Sequence, residues 1–469
     1  MSMVSTEVIR RKRSKDFRGK ERTIARTGDN EVGQLVKDSG IVKKYITAGL
    51  RYAGVFFGVL MLLAGSLVLT AQIPQAVIQD NMLRSAEYLC EKKVFFDAVP
   101  GIEGSRIDRY ADSILLGIAY QYDAAHPFRS VMESAYYYTP YQNENENLLE
   151  AVTEGLPANQ QYLRYWHGSI TIIRPLLVFL ELRQIYVLNG VLLATLAAGL
   201  LLMLWKRKAY LPVLGILWGM VATSCWHVPL SLEYTWMYLL MLATSILCVV
   251  RKPAPAFFLV TGMLANYLDF LTTETLSLLV PLLLGLWLTL RQEPQVKVWK
   301  QTLGAAAAWG CGYAGMWAMK WVLASVALRE NVMPYVTGHI EERLGTGEGT
   351  AGIHRLSYLW ETILRNVRCL FPWEYGITGI LSGCFLILLA VYFAYVYHRE
   401  QVRWQHILLY LCVGAMPYLR YTVLMNHSYL HCFFTYRAQM ATVLAGVLIL
   451  GECVDGRGLK NAICSKGKL

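Results

Sequence analysis

The chain has 469 residues, 55% of them hydrophobic, and its 44 Lys and Arg against 33 Asp and Glu give a net charge of +11. The apolar residues sit in blocks rather than in the half-apolar stripes of surface helices, which marks an integral membrane protein and not a soluble domain. The surplus basic charge reports topology and attraction to an anionic leaflet, and gives no ground for a nucleic-acid partner.

Residues 1–45 read as a disordered basic tail: charges alternate, few apolar residues offer a core, and the run Arg10, Arg11, Lys12, Arg13, Lys15 is remote from any apolar core of a cleavable signal. A spanning helix needs roughly 17 to 25 mostly apolar residues. Ten stretches meet or approach this: 53–73, 183–205, 209–224, 235–250, 256–272, 275–290, 302–325, 377–397, 406–425 and 437–452. The predicted fold is therefore an all-α polytopic membrane protein, with a membrane domain over 46–452 and a tail over 453–469. Thirteen Lys and Arg lie in residues 1–51, and Lys206, Arg207, Lys208, Arg251, Lys252, Arg291 and Lys300 lie at span ends on the same predicted side. Both termini are then expected in the cytoplasm of a multi-pass cell-membrane protein. The ten cysteines show no metal-ligand spacing; Cys90, Cys225, Cys369 and Cys432 face outward, which leaves room for one or two disulfides, although small packing residues in helices are the simpler reading.

Two segments on the outer side, 74–182 and 326–376, are too long to be turns. In the first, Ile107, Tyr110, Ala111, Ile114, Leu115, Ile118 and Ala119 recur at helical spacing opposite Asp108, Arg109 and Asp112, the pattern of an amphipathic helix lying on a membrane face. In the second, the run from His354 places Leu356, Leu359, Trp360, Ile363, Leu364, Val367 and Leu370 on one face. The stretch GTGEGTAG at 345–352 follows no strand and reads as a lid or linker rather than a phosphate loop.

Three clusters can carry chemistry. Asp108 and Asp112 are one helical turn apart and can share a proton or bind a divalent cation; Ser105-x-x-Asp108 also reads as a capping box, which favours a structural role for Asp108, and Asp80 is a third carboxylate. Arg164 and His167 in RYWHG, followed by Arg174, are donors suited to phosphate, against interface anchoring as the plain alternative. Arg420, His427, His431 and Arg437 gather around NHSYLHCFFTYR, where the two histidines are four apart. Glu233, Asp269, Glu274 and Lys320 fall at the outward ends of their spans, and buried membrane charges call for a functional hypothesis.

With these elements the chain resembles GT-C type membrane glycosyltransferases, and it also resembles Gram-positive bacterial membrane proteins carrying RYWHG and NHSYLH elements. The resemblance implies transfer of a sugar from a polyprenyl-phosphate carrier to a cell-envelope glycan or other extracytoplasmic acceptor, in contact with membrane lipids. It implies Asp112 as the base with Asp108 as neighbour or substitute, and Arg164, His167, Arg174, Asp269, Arg420, His427, His431 and Arg437 as substrate-binding residues. It leaves room for a Mg2+ or Mn2+ ion and requires no other cofactor. The competing expectation is a transporter or flippase for a lipid-linked or amphipathic solute, using the same outer charges as an entry site.

Overall fold

The structure, a computed structural model, describes residues 43, 46–251, 253–296, 298–344, 355–370 and 377–455. The predicted basic tail apart from Lys43 and the opening of α1, the GTGEGTAG segment with His354, and the tail from 456 onward lie outside the described residues. The chain divides into two units, Met1–Gly58 and Val59–Leu469. Of the first, the described part is Lys43 and the opening turns of helix α1 (Ile46–Ala71), where Ile46, Leu50 and Phe57 are exposed.

The second unit is mostly helical. After α1 come α2 (Gln75–Cys90), a two-stranded antiparallel hairpin of β1 (Phe95–Asp97) and β2 (Arg106–Asp108) that pairs Phe95 with Asp108, then α3 (Arg109–Tyr120), α4 (Pro127–Glu133), α5 (Glu144–Glu154) and α6 (Ile170–Leu176). Local sequence sets several boundaries: Asn143 and Glu146 form a reciprocal capping box at the start of α5, and Gly155 ends it with φ +67°. The helices α7 (Leu182–Lys206), α8 (Tyr210–Ala222), α9 (Leu232–Val250), α10 (Pro255–Leu268), α11 (Leu276–Gln292) and α12 (Trp299–Leu328) follow. Next are α13 (Met333–Leu344), α14 (Arg355–Leu370), α15 (Ile377–Val396), α16 (Trp404–Gly414), α17 (Met416–Val423) and α18 (Met425–Leu430). Finally α19 (Cys432–Thr435) runs through a 3-10 turn into α20 (Met440–Cys453).

Every stretch read as a span is helical. Among the described residues, four helices are long and apolar enough to cross a membrane: α1, α7, α9 and the continuous rod Cys432–Cys453. Others are shorter, among them α8, α10 and α11. The stretch 406–425 is broken between α16 and α17, where Pro417 in the first turn of α17 has no backbone N–H to continue the ladder. Large apolar side chains point outward from these helices, including Met61, Leu62, Leu69, Val187, Leu202, Trp205 and Val221.

Close helix approach depends on missing side chains. A Cβ on Gly262 of α10 would stand 2.1 Å from the Trp309 carbonyl oxygen, and one on Gly312 of α12 2.1 Å from that of Leu259, so these two helices touch backbone to backbone. At the end of α20, Glu452 takes Arg403 Nε at 2.8 Å and Nη2 at 3.1 Å, while His406 Nδ1 stands 3.3 Å away.

Two elements differ from their sequence reading. Helix α3, expected on a membrane face, is buried nearly all round, with Arg109 and Asp112 as deep as Ile114 and Leu116, because α2, α5, α6 and α9 enclose it. Helix α14 is amphipathic as expected but faces the other way round. Its polar side carries the packing: Asn366 Nδ2 donates to Ser428 O at 2.9 Å, Tyr358 hydroxyl to Asn426 Oδ1 at 3.0 Å, and Thr435 hydroxyl to Asn366 Oδ1 at 2.7 Å. Leu356 and Trp360 on its apolar side are exposed.

Gly262→Leu should abolish a monodisperse, cooperatively melting protein, since overpacking against a fixed carbonyl costs about 3 kcal/mol or more. Gly310→Ala, where nothing lies within 4 Å, should melt like the parent in the same detergent thermal-shift measurement.

Candidate functional site

Asp108 ends β2 in an extended conformation and is itself the N-cap of α3: its Oδ1 accepts from Ala111 N at 2.8 Å. This replaces the Ser105-x-x-Asp108 capping box expected from sequence, because the helix starts three residues later than that motif requires. The Ser105 hydroxyl instead accepts from Val99 N at 2.9 Å. The Asp108 carboxyl also interacts with the buried carboxyl of Glu233. Burial raises the Asp108 pKa to about 7, with Asp112 adding to the rise.

Asp112, one turn on, has a different task. Its oxygens accept from Leu232 N at 2.9 and 3.0 Å, from the Ser231 hydroxyl at 3.2 Å, from Glu233 N at 3.4 Å and from the Tyr186 hydroxyl. It is the carboxylate that caps α9. Burial lifts its pKa to about 6 against these donors.

Arg174 is equally committed. Its guanidinium donates to the carbonyls of Ala119, Ile73 at 2.6 Å and Tyr122 at 3.4 Å, at the carboxyl end of α3. Asp112 lies at the opposite end of that helix, so the two do not meet, and neither joins His431. The expectation that Asp112, Arg174 and His431 line one pocket therefore fails: the first two hold helix ends. Arg437 is likewise fixed, stacked on Tyr234 at 4.5 Å and donating to Phe433 O at 2.8 Å. Lys320 donates to the carbonyls of Val131 and Met132 at 3.1 and 3.0 Å, closing α4.

The polar groups that do converge lie around the loop after α10 and the turn after α17. Asp269 closes its own turn by accepting from Thr272 N at 3.0 Å and acts electrostatically on Glu233. Arg420 pairs with Glu274, Nε to Oε1 at 2.5 Å and Nη2 to Oε2 at 3.1 Å, and also donates to Leu271 O. His427 donates from Nε2 to the same Leu271 O at 2.8 Å and accepts from Arg343 at Nδ1, which defines its tautomer. The His427 and His431 rings lie 4.8 Å apart, as their spacing anticipates. Burial pushes both imidazoles down, His427 well below its ordinary value and His431 to about 3, so both are neutral at physiological pH. Arg164 stacks on Tyr162 at 4.5 Å and reaches His339 at 3.4 Å. His167 sits at φ +54°, boxed by Tyr162, Tyr165 and Phe270, with Nε2 3.3 Å from Tyr162 O. Asp80 is exposed on α2 and takes no part.

Among the described residues, buried Nδ1 of His167, Nδ1 of His431 and Oε2 of Glu233 have no hydrogen-bond partner. Nε of Arg164, Arg174 and Arg437 is likewise buried without a partner. Arg343 escaped the sequence reading because Glu341-Glu342-Arg343 reads as a solvated charge run; the signal was the His339, Glu342 spacing, which here forms a 3.1 Å pair.

Among the described residues, one group of three His, Cys, Asp or Glu ligand atoms lies within 4.8 Å, that of Glu103, Cys369 and Cys432. Neither Asp108 nor Asp112 belongs to it. A cavity of about 260 Å3 opens at the other end of α9, lined by Arg207, Arg251, Thr289, Gln292 and Glu293, and includes none of the anticipated site residues. No protein-family profile, curated protein or solved structure matches the chain.

Asp112→Ala should lower unfolding free energy by about 3 kcal/mol, because buried N–H groups at the start of α9 lose their acceptor; chemical denaturation in detergent reads this. The raised folded values of Asp108 and Asp112, against 3.8 in the unfolded chain, mean that the fold binds more protons than the unfolded state. Their contribution is fully present below pH 3.8 and is lost as pH rises through about 6 to 7. Melting temperature should fall across that window, and Asp108→Asn should flatten the upper part of the fall.

Proposed function

We propose that the chain is a multi-pass membrane glycosyltransferase of GT-C kind, moving a sugar from a polyprenyl-phosphate carrier to an extracytoplasmic acceptor, with both termini cytoplasmic. The observation that carries this reading is a buried carboxyl group whose pKa lies near 7, Asp108 beside the acid Glu233, in the same polar interior as Arg343, His427 and His431. A general base works best when its pKa lies close to the working pH. Asp112, whose oxygens are occupied by backbone donors, is not the base in this reading; that role passes to Asp108.

Asp108 accepts the proton of the acceptor hydroxyl as the acceptor oxygen bonds to sugar C1, and the bond from C1 to the carrier phosphate breaks. Charge gathering on the departing phosphate meets Arg343 and Arg164, with neutral His427 and His431 as polar neighbours. Arg420 and Asp269 support this set from behind, Arg420 by fixing Leu271 O beneath His427. The exposed apolar sides of α14 and its neighbours suit the polyprenyl tail and surrounding lipid.

Purified protein in detergent, given a polyprenyl-phosphate sugar and acceptor glycan, should form product. Asp108→Asn should lower kcat by about 100-fold or more while the protein still folds and melts cooperatively, and Arg343→Ala should raise KM for the carrier. Full activity of Asp108→Asn would remove the base. Absence of transfer in detergent together with solute uptake into sealed vesicles would replace the enzyme by a transporter or flippase.

A further inference from the structure

Cys369 is the penultimate residue of α14 and Cys432 the first of α19, and both are buried with Leu370 and Tyr436 in one small cluster. Their sulfur atoms and a carboxylate oxygen of Glu103 all lie within 4.8 Å of one another. We propose that Cys369 and Cys432 are a thiol pair that closes to a disulfide, a covalent site joining α14 to α19.

The cluster admits two chemistries, and charge separates them. Two thiolates and a carboxylate would suit zinc. Glu103, however, is already held by two guanidinium groups, Arg365 Nη2 at 2.9 Å and Arg106 Nη1 at 3.5 Å. The same two arginines act electrostatically on Cys432, and Arg437 acts on Cys369. A divalent cation would enter among three guanidinium groups and would have to displace a carboxylate from its ion pairs. A disulfide adds no charge, and it needs the sulfurs, already within 4.8 Å, to approach to about 2 Å.

The oxidant is an external disulfide. One thiolate attacks it, forming a mixed disulfide and releasing one thiol; the second cysteine then attacks the mixed disulfide, forming the Cys369–Cys432 bond and releasing the other thiol. Both electrons and both protons leave with the two released thiols. The link would enclose α15 to α18 in one loop and anchor the chain directly beside His431, which precedes Cys432. It is independent of the transfer reaction proposed above.

Full-length protein in detergent is treated with a dipyridyl disulfide, quenched with an alkylating agent under denaturing conditions, and digested without reduction. A peptide pair joining Cys369 and Cys432, lighter by two hydrogens than its separate parts and lost after dithiothreitol, is the expected result. In Cys369→Ser, Cys432 should instead retain a pyridyl adduct. Recovery of both cysteines as separate alkylated peptides from the parent protein would overturn the proposal, whether or not the single variant takes the reagent. So would one equivalent of zinc that co-purifies and is lost in Cys432→Ser, which would assign the cluster to a metal.

Discussion

The carboxylate of Asp112 at the amino end of α9 is the join on which the interior of this protein depends. It gathers the buried, otherwise unpaired N–H groups at the start of α9, the hydroxyl of Tyr186 from α7 and the first turns of α3 onto two oxygen atoms. Helix starts left without acceptors are costly where water is scarce, and a negative charge there also meets the positive end of the helix dipole. The opposite ends are treated in kind. Arg109 bonds the last carbonyls of α2, Arg174 those of α3 and Lys320 those of α4. Ionised side chains that look like chemistry in an apolar chain are thus largely occupied in terminating helices.

That division separates structural from reactive groups. A residue whose oxygens are taken by backbone donors has little left with which to bind a substrate; Asp112 is of this sort, whereas Arg174 and Arg437 each keep a buried Nε without a partner. His167, His431 and Glu233 each retain a buried polar atom without a partner. Asp108 lies between the two groups, with one oxygen on the backbone of α3 and its carboxyl also in contact with another acid. The polar interior around the α10 to α11 loop is one place where the protein holds unused hydrogen-bonding capacity, with Thr273 and Thr275 hydroxyls also without partners.

Hydropathy made the helices legible, since block composition alone marks apolar rods, and each anticipated stretch is helical. What it did not reveal was enclosure. The period of Ile107, Tyr110, Ile114 and Ile118 reports one apolar face of α3, but whether the other face meets water or more protein depends on α2 and α9, which come from distant sequence. The same gap explains the site. Spacing brought out His427 and His431, which share one turn, whereas the partnership of Asp108 with Glu233 and of His427 with Arg343 spans more than eighty residues and leaves no local pattern.

Helix α14 is built inside out: its amide and hydroxyl groups grip α18 and α19 while Leu356 and Trp360 look away from the protein. Whatever covers that apolar side therefore sets where α14 rests, and Asn366 carries any displacement of the helix to the Ser428 turn between the two histidines.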